Sequence, residues 1–144
     1  MIILRHRREN LRKCSLTGLE KHPGLQFYTY PNDPLPDLSG CLLLKVGAPE
    51  LSIADAERTL LLIDGTWKLA QVMEKQLPPL EARSLPGGYK TAYPRRQTDC
   101  PDPEAGLSSL EALFIAHKIL NLPTDGLLDR YYWKELFLKI NHFQ

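Results

Sequence analysis

Two stretches of this chain, "CLLLKV" (41–46) and "TLLLID" (59–64), are apolar almost without interruption. A strand with one face in water alternates apolar and polar side chains. A strand that is apolar throughout must be covered on both faces, as in a parallel sheet packed between helices. Three more runs read as strands: "IILR" (2–5), "LQFYTY" (25–30) and, more weakly, "ARSL" (82–85).

Helical periods fill much of the rest. "TWKLAQVMEKQL" (66–77) places Trp67, Ala70, Val72, Met73 and Leu77 mostly on one side, and Pro78 and Pro79 end it. "SSLEALFIAHKILNL" (108–122) is apolar nearly all round, which predicts a central helix. "TDGLLDRYYWKELFLKINHF" (124–143) opens on turn residues and then carries a stripe of Leu127, Leu128, Tyr131, Leu136, Phe137 and Ile140. A short helix is expected over 52–58, starting at Ser52, and another in "RENLRKC" (8–14). Alternating strands and helices give an α/β class with a mainly parallel sheet and flanking helices. Two segments, 30–40 and 85–106, fit neither period. Loops that long in a small chain are usually functional.

The 144 residues, 43% hydrophobic, suffice for one domain over 1–144 with a core that needs no disulfide or metal. Cys14, Cys41 and Cys100 are widely spaced, with no CxxC pair, and read as free thiols of a reducing cytoplasm. The N-terminal apolar run is too short for a signal peptide, and no run approaches the roughly 20 residues of a membrane span. The net charge of +1 hides an uneven distribution. Residues 5–13, "RHRRENLRK", hold five cations against one acid.

Asp64 ends a buried strand, where α/β sheets bind ligands. It also stands two residues before a helix, where an acid caps the first turn. Both readings are open. Gly65 permits close backbone approach. In "LSSLEA" (107–112), Ser108 and Glu111 have the spacing of a capping box. The same helix start could hold a polar or anionic ligand on its N–H groups. "YPRRQ" (93–97) sets two arginines beside an aromatic ring, and with the basic N-terminal segment it points to a polyanion. The four histidines lack metal-ligand spacing. No GxGxxG, P-loop or GxSxG is present, which removes support for dinucleotide, nucleoside-triphosphate and hydrolase chemistry.

"DGTW" (64–67), followed by "RRQ" (95–97) and "LSSLEA", resembles the signature of DTW-domain proteins. These form a superfamily with the small-subunit rRNA aminocarboxypropyltransferases. "RKCSLTGL" (12–19) and "CLLLKVGAPELSIADAE" (41–57) are similar to segments of the rRNA enzymes. The cysteine-rich N-terminal segment of many DTW proteins has no counterpart in this sequence.

The resemblance implies a SPOUT-like fold with a C-terminal trefoil knot, residues 1–58 preceding a donor-binding core over 59–144. It implies S-adenosylmethionine as donor, without a metal. The reaction it implies is transfer of a 3-amino-3-carboxypropyl (acp) group to a uridine-type base in tRNA or rRNA. Asp64 then becomes the central acid, holding the donor's ammonium or taking the acceptor's proton. Ser15 would meet the donor's polar tail. Backbone around Leu43, Leu44, Leu85, Pro86, Ser108 and Ser109 would wrap the adenosine, and Trp67 would wall the pocket. Arg5, Arg7, Arg8, Arg12, Lys13, Arg95 and Arg96 would contact RNA. The alternatives are a SPOUT-type RNA methyltransferase and a non-catalytic RNA-binding or ribosome-assembly module. The capping box has its own test: Ser108→Ala is expected to destabilise the protein by about 1 kcal/mol, read as a lower melting temperature.

Overall fold

The computed structural model describes residues 1–94 and 106–143. Five strands, β1 (Ile2–His6), β2 (Gln26–Tyr30), β3 (Leu42–Leu44), β4 (Leu60–Asp64) and β5 (Glu81–Arg83), form one sheet in the order β2-β1-β4-β3-β5. Every pairing is parallel. The sequence places all five, including the weak fifth, whose polar flanks suit its edge position. No helix among the described residues is long and apolar enough to cross a membrane.

Alternation along the strands sorts their side chains onto two faces. Ile2, Leu4, Leu43 and Leu61 pack with Met73 of α1 (Trp67–Lys75). Ile3 and Leu62 pack with Leu110, Leu113 and Phe114 of α2 (Ser109–Ile119) and Phe137 of α3 (Lys134–Ile140). Leu42 and Leu60 meet Ala116 and Leu120 on that same side. The sheet is therefore covered on both faces, as the apolar strands require. Helix α2 is central: seven of its residues are buried, Glu111 and His117 among them.

Three helical expectations change. The segment 124–133 is a chain of turns rather than helix, with Tyr131 N bonded to Leu128 O at 3.0 Å and Lys134 N to Tyr131 O at 3.1 Å. Gly126 has φ +79°, which a right-handed helix cannot contain. "RENLRKC" makes a turn on Asn10, whose Oδ1 accepts from Arg12 N at 3.0 Å. An Asn side chain bonded to nearby backbone competes with helix. Over 52–58 only one 3₁₀ turn forms, Ile53–Asp55, capped reciprocally by Ser52 and Asp55.

The order of strands creates a crevice. From β1 the chain runs to β2 on one side. From β4 it runs through α1 to β5 on the other. The carboxyl ends of β1 and β4 thus border a switch point, the usual ligand position in such sheets. Arg5 and Asp64 are register partners there.

His117 supplies a pH test of the core. Burial lowers its pKa from the ordinary 6.5, and its Nδ1 lies 2.7 Å from Leu113 O. The unfolded chain binds that proton more readily, so stability is complete above pH 6.5 and falls as the pH drops below it. Melting temperatures measured from pH 7.5 down to 5 should decline, and His117→Met should flatten the slope.

Candidate functional site

Asp64 is 3% exposed at the end of β4, on the sheet face toward α2. It does not cap α1. Thr66 does, its Oγ1 accepting from Leu69 N at 3.4 Å. Strand geometry has already committed Asp64 to the crevice. Gly65 makes the close turn possible: a Cβ there would stand 3.2 Å from Met73 Cε and 3.4 Å from Leu69 Cβ.

Three donors surround the Asp64 carboxylate. Arg5 Nε donates to Oδ2 at 3.0 Å, the Cys14 thiol to the same oxygen at 3.2 Å, and Ser109 Oγ to Oδ1 at 3.0 Å. Arg5 is itself enclosed. Its other nitrogens reach Glu20 Oε2 at 3.5 Å and Cys14 Sγ at 3.6 Å, and its guanidinium lies over the Phe27 ring. Burial opposes the Arg5 charge, but Asp64, Cys14 and Glu20 outweigh it and its pKa is raised. Burial first, then the charge of Asp64, pushes the Cys14 thiol up to about 12, so it stays a neutral donor. Glu9, Cys14 and Asp64 bring potential metal-ligand atoms within 4.8 Å of one another. Two of the three are bonded to each other, with Arg5 on the same oxygen, so that cluster is built as a hydrogen-bond clamp.

A second carboxylate, Glu111, is fully buried behind the first turn of α2. It completes the expected capping box: Ser108 Oγ accepts from Glu111 N at 3.2 Å and Glu111 Oε1 accepts from Ser108 N at 2.9 Å. It also accepts from Thr91 Oγ1 at 2.6 Å, Ala92 N at 2.7 Å and Tyr131 OH at 3.0 Å. Glu111 therefore ties the long loop and the turns before α3 to the start of α2. The capping spacing gives no hint of these partners. Two N–H groups of this helix start are already taken within the chain. Ser15 Oγ takes Leu110 N at 3.0 Å, and Ser108 takes Glu111 N.

Between the strand ends and the loop lies a cleft of two lobes. One, about 960 Å³, is walled by Leu44, Leu62, Leu85, Pro86, Tyr89 and Leu107. The other, about 990 Å³, lies over Asp64 and is lined by Ser15, Trp67, Tyr93, Ser108 and Ser109, with Arg8 and Lys13 also on its wall. Val46, Leu62, Leu107 and Ala112 belong to both lobes, and Val46 is 81% exposed where they meet.

Most of the expected site residues are thus gathered around one cleft. The Leu43 side chain lies in the core on the α1 face, because neighbours along a strand point opposite ways, while Leu44 lines the cleft. Arg5 is a correction: it is 9% exposed and bound to Asp64, not a surface cation. Arg7, Arg8, Arg12 and Lys13 are exposed. Arg95 and Arg96 lie outside the described residues. The role of Cys14 and the wider role of Glu111 were missed, while Tyr93 is the aromatic ring expected beside the two arginines. Arg5 was legible in principle, since a cation ending one buried strand needs an acid such as Asp64 ending another.

No family model matches this chain, and no curated protein sequence is similar to it. Among solved structures, its fold is similar to that of the SAM-dependent rRNA:acp-transferase Tsr3 from Vulcanisaeta distributa. The TM-score is 0.71 at 23% identity, over 99% of this chain and 78% of that one. At that identity the likeness is one of fold. Glu111 gives the stability test: Glu111→Gln turns an amide N–H₂ toward buried donors and should cost about 3 kcal/mol in urea denaturation.

Proposed function

We propose that the chain is an S-adenosylmethionine-dependent RNA aminocarboxypropyltransferase of the DTW and SPOUT-like group, its C-terminal part threaded as a trefoil knot. The observation that carries this reading is the clamped Asp64 on the floor of a two-lobed cleft, in a fold similar to that of such a transferase. The lobe walled by Leu44, Leu85 and Pro86 suits an adenosine, with Leu44 and Leu85 against its flat faces and backbone of the 84–88 segment at its edge. The lobe over Asp64 suits the charged tail.

When bound, the donor supplies a sulfonium carbon open to attack: a bond forms from N3 of uracil to that carbon, the carbon–sulfur bond breaks with its electron pair passing to sulfur, and the N3 proton leaves to solvent or a carboxylate. What this chain contributes is pose. Which of the three carbons on sulfur faces the acceptor decides the product. Asp64, fixed by three donors, is the natural partner of an ammonium group, since a carboxylate has acceptor sites left after three bonds. That occupancy favours holding the donor over taking the proton. Ser109 and Arg5 would keep the carboxylate aimed.

In isothermal titration calorimetry the purified protein should bind S-adenosylmethionine. Asp64→Asn should weaken that binding at least about tenfold, the loss of one charge-assisted hydrogen bond. Nucleosides of total tRNA and rRNA from cells lacking the protein should lose an acp-modified uridine by mass spectrometry. Loss of a methyl group instead would make it a methyltransferase. RNA binding without donor binding would make it a non-catalytic module.

A further inference from the structure

We infer that the turn "RYYWK" (130–134) is a stacking platform outside the cleft, where one unpaired base of an RNA lies on the Tyr132 ring and Lys134 meets its phosphate. The inference rests on the proposed function for its choice of nucleic acid, and its grounds are the exposure, rigidity and charge of the turn.

Exposure comes first. Tyr132 is 86% exposed, more than any other large apolar side chain among the described residues. Its neighbours are placed differently. Tyr131 is buried, its hydroxyl donating to Glu111 Oε2 at 3.0 Å, and Trp133 is half-buried. A tyrosine ring left in water forgoes the large burial that usually places it in a core.

Rigidity comes next. Lys134 N donates to Tyr131 O at 3.1 Å, which closes a four-residue turn with Tyr132 and Trp133 at its corners. Trp133 has φ −94° and ψ 21°, close to the third residue of a type I turn. Tyr131 faces the core and the turn carries Tyr132 outward. The Tyr132 ring meets Trp133 edge-on at 5.0 Å between centroids, and Trp133 in turn meets Tyr93 at 5.3 Å and Tyr131 at 6.0 Å. A ring already held loses little freedom when a base stacks on it. Such stacking tolerates any sequence, because every base has a π-face.

Charge selects the occupant. Arg130 and Lys134 are exposed and bracket the rings. Of the two flanking acids, Asp129 lies back toward Gly126, its Oδ2 3.8 Å from a Cβ built there, which leaves Glu135. Arg130 lies across Gly18, its Cδ 3.1 Å from a Cβ built there. The 10–19 segment that holds Gly18 carries exposed Arg12 and Lys13, and the Tyr93 hydroxyl donates to the carbonyl of Lys13. The turn is thus continuous with the basic edge of the molecule and stands two ring contacts from the cleft wall at Tyr93. Rings interleaved with cations fit a nucleic acid single strand, whose bases stack and whose phosphates are anionic.

The test uses the full chain and fluorescein-labelled hexauridylate, read by fluorescence anisotropy. Tyr132→Ala should weaken binding at least about fivefold, the low end for one stacked base, while Tyr132→Phe keeps the ring and should bind as the unaltered chain does. Lys134→Gln should flatten the slope of log affinity against log salt by about 0.7, the value for one phosphate contact on a single strand. A hexamer carrying one 5-iodouridine should crosslink to Tyr132 or Trp133 on irradiation, and annealing it to its complement should abolish that crosslink. No binding of hexauridylate, binding that Tyr132→Ala leaves unchanged, an unchanged salt slope, or crosslinks only outside 130–134 would each overturn the inference. Donor calorimetry keeps the two readings apart. Crosslinks at the turn in a protein that binds no S-adenosylmethionine would leave the platform standing and remove the transferase. Donor binding with no crosslink at the turn would do the reverse.

Discussion

A carboxylate removed from water must be surrounded by donors, and in this protein that demand falls on Asp64. Its partners come from three separate places: Arg5 from the neighbouring strand, Cys14 from the segment between β1 and β2, and Ser109 from α2. Meeting them fixes the β1–β4 register at its carboxyl end, the seat of the 10–19 segment and the approach of α2. A buried ion pair of this kind adds little net stability over a well-packed apolar pair, while breaking it is costly. Its value lies in specifying one arrangement, and the arrangement it specifies is the floor of a cleft.

Glu111 does for the loop what Asp64 does for the strands. Residues 85–94 form neither helix nor strand, yet they supply one wall of both lobes. They can hold that shape because Thr91 and Ala92 are bonded to a fully buried acid at the start of a central helix. The two carboxylates flank the first turn of α2, with Ser108 and Ser109 between them. The turn thus connects the strand-end clamp to the loop wall through four consecutive residues. The likeness to a SAM-dependent rRNA:acp-transferase is a likeness of fold, and this connection is what gives the fold a shaped site in this chain.

Much of the architecture was readable from one dimension. Continuous apolar runs gave β3 and β4, because only a doubly covered strand tolerates them. Apolar character all round gave α2. The errors share a cause: a local pattern was overruled by a specific bond or backbone angle. Of the stripe expected in 124–143, Leu127, Leu128, Tyr131 and Phe137 are buried and Leu136 is exposed, and Gly126 and the pull of Tyr131 toward Glu111 hold 124–133 in turns. Arg5 looked like one of five surface cations. Its position inside a buried strand was the available clue to a different role.

The opening question for Asp64, cap or ligand acid, shows where the two levels divide. The sequence by itself determined that a strand ends at Asp64, that Gly65 permits a tight turn and that a helix follows, since these are local matters of period, side-chain volume and backbone freedom. It also determined the Ser108–Glu111 cap, because reciprocal bonds across three residues need no distant partner. Only the tertiary structure decided that Thr66 takes the capping role, that Arg5 and Cys14 enclose Asp64, and that Glu111 anchors a loop twenty residues away in sequence. Those outcomes depend on which strands become neighbours and which faces meet. Desolvation then selects, among all the chain's donors, the few that the fold brings within about 3 Å of a buried charge.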